Sequence, residues 1–286
     1  MKKTKVIIPA LGILLLSTAA SVTGTVAWFS ANSSVTATGM KVQAKAEQGI
    51  VISNEEKSAW SDKATASHHS GIELLPTSTA IGAEWYHNNS NDEDDAAAAQ
   101  AASTYSVLDI KEDDGAGFVD SATGTYANDQ YDATAGENAY YLINKFYIKT
   151  SSGQSLDDTH VYLNYVRGSV TGTSASEYLN KALRVLVVFT DGTTTVQKVY
   201  APFAGATLTY KAKNTTDVTA IDASAGKVGT DLGEFDIPAN DTTAYPMVAS
   251  VYVYFEGEDA NCKSKNLKAT LDELNVELEF GLIQAE

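Results

Sequence analysis

The chain has 286 residues with 20 Lys and Arg against 36 Asp and Glu, a formal charge of −16. Such an excess of acid repels nucleic acid and anionic membrane surfaces, so a polyanionic partner is excluded. Its single cysteine, Cys262, excludes both an internal disulfide and any two-cysteine metal motif, so stability must come from a packed core.

The N-terminus has the three-part layout of an export signal. Basic Lys2, Lys3 and Lys5 precede an apolar run over 6–16, and small residues end at Thr25, Val26 and Ala27. Residues 1–27 are therefore expected to be a signal peptide cleaved after Ala27, with membrane contact only during export. The alternative is an uncleaved anchor, since apolar character continues through Trp28 and Phe29. Cleavage would remove three lysines and no acid, taking the charge from −16 to −19 and leaving 259 residues, enough for one large β domain.

The next segment is Trp28, Phe29, Ser30, Ala31, Asn32, Ser33, Ser34, Val35, Thr36, Ala37 and Thr38, running through Gly39 into Met40. It is uncharged, prone to extension and opens with two aromatics. Two readings stand side by side. The segment could add to the open edge of a neighbouring sheet, where backbone hydrogen bonds supply affinity and aromatics fill pockets, or it could be the first strand of its own domain.

Residues 54–138 differ in character, with acidic 91–95, an alanine run at 96–99 and a Gly-, Ala-, Asp- and Thr-rich stretch at 113–136. They read as a loop-rich insertion. Beyond it, strands are expected at 140–149, 160–171, 206–212 and 247–255, each rich in β-branched or aromatic residues. Ser174 to Glu177 has capping-box spacing for a short helix. The run from Leu183 to Phe189, then Asp191-Gly192, then 193–200 reads as a hairpin turning through positive φ at the glycine. Leu274, Val276, Leu278 and Phe280 alternate with Asn275, Glu277 and Glu279, a strand with one buried and one wet face. The whole is expected to be all-β, an antiparallel sandwich over 28–286 with at most short helices.

No zinc helix, nucleophile elbow or phosphate-cradling glycine loop occurs, so no catalytic residue is assigned and the chain reads as not an enzyme. His68-His69, His87 and His160 read as surface or packing residues, and Cys262 as a small buried residue. Acidic clusters at 91–95, 112–114 and 256–259 supply oxygens of the kind calcium takes, although none has the spacing of a helix-loop-helix calcium loop. Glu256, Glu258 and Asp259 are the best metal candidates, because they directly follow a strong strand. The competing reading of every cluster is a solvated acidic loop.

The stretch from Gly24 to Ser30, continuing through Met40, Lys41 and Val42, resembles the TasA/camelysin-like exported fibre-forming proteins of Gram-positive bacteria, with their SipW-type signal peptide. The segment from Val251 through Glu256, Gly257, Asp259 and Cys262 looks like the ending of related surface proteins. The resemblance implies a secreted, jelly-roll-like subunit of extracellular biofilm-matrix fibres, a head-to-tail homopolymer in which residues 28–38 of one copy complete the sheet of the next. Other matrix or cell-wall components would be further partners. The alternatives are a monomeric surface module that binds cell-wall glycan or calcium, and a metal-dependent hydrolase of the kind some relatives are labelled.

Overall fold

The structure, a computed structural model, describes residues 35–37, 40–47, 49–55, 59–68, 72–80, 85–88, 105–107, 119–120, 124–125, 138–172, 179–212, 216–240, 246–262 and 270–283. The expected signal peptide with its cut at Ala27, residues 28–34 and Thr38 of the strand-donor segment, the capping box at 174–177 and the acidic clusters at 91–95 and 112–114 lie outside them.

The strands of the first half are β1 (Val35–Ala37), β2 (Met40–Ala46), β3 (Ile50–Ser53), β4 (Lys63–His68), β5 (Ile72–Leu74), β6 (Ser78–Thr79), β7 (Trp85–Asn88), β8 (Tyr105–Val107), β9 (Val119–Asp120), β10 (Gly124–Thr125) and β11 (Asn138–Ala139). Those of the second half are β12 (Leu142–Thr150), β13 (Leu156–Gly172), β14 (Leu183–Thr190), β15 (Thr195–Ala201), β16 (Thr209–Ala212), β17 (Thr216–Thr219), β18 (Ile221–Asp222), β19 (Lys227–Ile237), β20 (Met247–Phe255) and β21 (Thr270–Gly281). The one helical turn among the described elements is the 3₁₀ segment Asn180–Ala182, just before β14.

Two sheets face each other, and the all-β sandwich is the architecture. Sheet A runs β11-β5-β1-β21-β13-β19, with β2 and β4 continuing β1 and β5 along the same side of β21. Sheet B runs β18-β15-β14-β20-β12-β3. The inner faces meet where Phe189 of sheet B packs edge-on against Phe235 at 4.9 Å and stacks on Phe280 at 5.5 Å, both from sheet A. Most ladders are antiparallel, but β1 and β2 pair in parallel with β21, so the first and last strands of the sandwich lie side by side. Parallel neighbours need a crossover, and here nearly the whole chain supplies it.

The two sheets carry different burial patterns for a physical reason. In β21, Leu274, Val276, Leu278 and Phe280 are buried while Asn275, Glu277 and Glu279 stay partly exposed, because its outer face meets solvent. In β14, five consecutive residues from Leu183 to Val187 are buried, since sheet B is covered on its outer side as well. The described part of 54–138 contributes to that cover and to the sheets themselves. Strands β4, β5 and the first residue of β11 belong to sheet A, and β6-β7-β8 form a small third sheet. From that sheet, fully buried Trp85 stacks on Tyr141 at 4.1 Å and meets Tyr254 edge-on at 5.0 Å and Tyr252 at 5.5 Å. A strand covered on both faces reads as a continuous apolar run, as β14 does.

The Asp191-Gly192 connection between β14 and β15 is a turn with φ +93° at Gly192. It is held by the Asp191 carboxylate, which accepts the Thr193 and Thr194 N–H groups at 2.8 and 2.7 Å. Core density sets a further expectation. Ile148→Val, in β12 between Met247 and Ile52, should lower unfolding free energy by about 0.5–1.5 kcal/mol, read from a urea titration.

Candidate functional site

Of the residues expected to donate a strand, Val35, Thr36 and Ala37 are the ones the structure describes, and they sit inside sheet A of their own chain. Val35 pairs with Leu74, Thr36 with Glu73 and Ala37 with Ile72 on one side. On the other side Thr36 faces Thr270 and Ala37 faces Leu271 in a parallel ladder. The same register resumes at Met40 opposite Leu274 and runs to Ala46 opposite Phe280. Strands β1 and β2 are thus one line of chain along β21, divided at the Thr38-Gly39 step. β2 is anchored by seven parallel pairs and by six antiparallel pairs to β4, whereas β1 has two and three. The slot between β5 and the start of β21 is accordingly a short one, bounded on both sides by backbone.

The second site is the acidic loop after β20. Of the three candidates there, Asp259 pairs with an arginine, Glu256 lies buried near it, and Glu258 bonds back to the Glu256 carboxylate through its own N–H. Arg184 and Asp259 form an ion pair at 2.5 Å with both side chains fully buried. The guanidinium also donates to the carbonyls of Lys181 at 2.9 Å, Leu183 at 2.8 Å and Thr207 at 2.6 Å. The Lys181 carbonyl, within the short 3₁₀ turn, thereby gains a donor. Asp259 uses both oxygens: Oδ2 accepts the Thr207 N–H at 2.8 Å besides the arginine, and Oδ1 accepts the Asn261 N–H at 2.7 Å and side-chain amide at 2.8 Å. Backbone bonds from Glu256 N–H to the Ala182 carbonyl and from Gly257 N–H to the Thr77 carbonyl complete the tie. Four segments, around 77, 182–184, 205–207 and 256–262, are fastened at one point.

The electrostatics of this knot follow from burial. Glu256 is fully buried, and desolvation pushes its carboxyl up to about 8, against the opposing pull of the Glu258 N–H on Oε1 at 3.1 Å and of Arg184. Burial also raises the Tyr210 and Tyr254 hydroxyls. The Cys262 thiol goes well up as well, through burial and then the charges of Asp259 and Glu256, so it is held protonated. A protonated, buried thiol is a packing group and not a nucleophile. Among the described residues, no group of three or more His, Cys, Asp and Glu side chains is arranged to hold a metal ion.

His160 does not pack into the core. It lies exposed between Asp231 and Glu234 on the outer face of sheet A. Sequence reasoning did not mark Arg184, although a lone charge within an apolar strand was the available signal, nor Trp85 as the centre of an aromatic cluster. Comparison with protein-family models, with curated proteins and with solved structures finds no match for this chain.

Proposed function

We propose that this chain is an exported, non-catalytic structural subunit that assembles into extracellular fibres by giving its N-terminal strand, residues 28–38, to a neighbouring copy. The observation that carries the reading is the position of Val35–Ala37, held by backbone pairing on both sides between β5 and β21. A slot whose walls are backbone accepts an identical segment from another copy with the same hydrogen bonds, so exchange is nearly neutral in contacts. The anchored β2 stays home while the short β1 moves. Donation from each copy to the next is a heterologous contact that does not close, and it yields a filament.

The test is electron microscopy of protein beginning at Trp28 beside protein lacking residues 28–38. Filaments from the first and only folded monomers from the second are expected. A paired cross-link sharpens the result: with Thr36→Cys and Glu73→Cys, which face each other across the β1–β5 pairing, oxidised filaments should give a covalent ladder on a denaturing gel. Folded monomers from both proteins under varied pH and calcium would overturn the reading.

A further inference from the structure

Strand β19 is an edge strand of sheet A and, among the described residues, pairs with β13 alone. His160 faces Glu234 and Val161 faces Gly233, but the next pair is Tyr162 with Asp231, so Leu232 is an extra residue on β19. In a regular strand, residues three apart point to opposite faces. The bulge cancels that alternation: Leu232 is buried, while Asp231 and Glu234 are both exposed on the outer face. Gly233 permits the bend with φ +112°, and its N–H donates to Asp231 Oδ1 at 2.8 Å.

The two carboxylates so placed hold His160 between them. Nδ1 lies 2.9 and 3.1 Å from the Asp231 oxygens, and Nε2 lies 3.1 Å from Glu234 Oε1. A neutral imidazole has one N–H and can serve one carboxylate, leaving its other nitrogen facing a second negative charge. Only the imidazolium, with two N–H groups, satisfies both.

We propose that His160, Asp231 and Glu234 form a proton-gated clip that holds the bulged outer strand β19 to β13. Bulges blunt a free sheet edge against pairing with other chains, so the clip maintains a protected edge. The inference stands independently of the assembly reading. Other titratable groups lie on β13 and on the elements beside it. On β13 these are Asp157, Asp158 and Tyr162, whose ring lies 6.2 Å from the imidazole. On β19, Asp236 accepts the Asp158 N–H at 3.1 Å, and from the β14–β15 turn Asp191 faces the Asp236 N–H at 3.4 Å. Among the described residues, the β21 pairing with β13 ends at Gly281 opposite Tyr162. Asp231 and Glu234 are the charges that favour the cation.

The hydrogen bond to Asp231, then the charges of Asp231 and Glu234, raise His160 above the ordinary histidine value. His160 in turn, with the Gly233 N–H, lowers Asp231. The clip is therefore complete below the ordinary histidine value and is lost as pH rises through the raised one. At the acid end it is lost as pH falls through the lowered Asp231 value.

Ring-nitrogen NMR shifts of the full chain, together with amide exchange over residues 230–235 corrected for intrinsic rate, test this from about pH 6 to 9. Both ring nitrogens should be protonated at the lower pH, with a midpoint above the ordinary value of about 6.5. Protection of 230–235 should fall about two- to fivefold as His160 titrates, the size expected of exposed charge pairs. His160→Gln should remove that pH dependence, and Asp231→Asn should lower the midpoint. A midpoint at or below the ordinary value, protection that does not follow the titration, or an unchanged profile in His160→Gln would overturn the proposal.

Discussion

Arg184→Ala is expected to lower the unfolding free energy by about 3–5 kcal/mol, because it leaves Asp259 charged and buried without its partner. The loss has a second component. The carbonyls of Lys181, Leu183 and Thr207 lose their donor, and the bond to Leu183 is buried, where an unsatisfied acceptor adds to the cost. Asp259→Asn should also be strongly destabilising, since it leaves the Arg184 charge buried without its partner and its single amide oxygen can replace only one of the two oxygens that accept the Thr207 and Asn261 N–H groups. Urea midpoints for the two variants, with the slope unchanged, would measure both losses. An Arg184→Ala midpoint within the error of the parent would show that the knot is not a fastening point.

Glu256 produces the second large effect, and its sign is opposite to that of an ordinary carboxylate. Burial raises its native value to about 8, well above the unfolded value of 4.5, so the native state holds a proton that the unfolded chain releases. Its stabilising contribution is thus fully present below the unfolded value and is lost as pH rises through the native one. The loss amounts to roughly 4–5 kcal/mol at most by the conversion between pKa shift and free energy. Glu256→Gln keeps the shape and the acceptor for the Glu258 N–H while removing the titration. Thermal unfolding from about pH 5 to 9 should therefore show the parent weakening relative to Glu256→Gln, most steeply between the unfolded value of 4.5 and the native value of about 8, and levelling off above it. Parallel curves for the two proteins would refute the assignment.

Several strands were legible in the sequence because their patterns are local. β20 was read with the same bounds, β21 was visible in the alternation from Leu274 to Phe280, and the β14–β15 hairpin in Asp191-Gly192. β19 was not, although it is eleven residues long. Its buried residues are Leu232, Phe235 and Ile237, and the bulge breaks their period of two, so three acids and two glycines gave it the look of a loop. The described strands of 54–138 were hard to read for a related reason. They are short, and the burial of Trp85 depends on tyrosines at 141, 252 and 254 that no local window contains.

The sequence by itself determined the class of the protein: acidic, without disulfides, strand-rich, and built on a core of alternating apolar residues. Composition and short-range periodicity suffice for this, since they act through each residue's own solvation and backbone preference. The tertiary structure alone decided which strands are neighbours. It placed the first strand in parallel beside the last, brought Arg184 to an aspartate in a distant loop, and set two carboxylates on one face of β19 around His160. Those juxtapositions depend on sheet register and on burial from the second layer, and both arise only when segments far apart in the chain exclude water together.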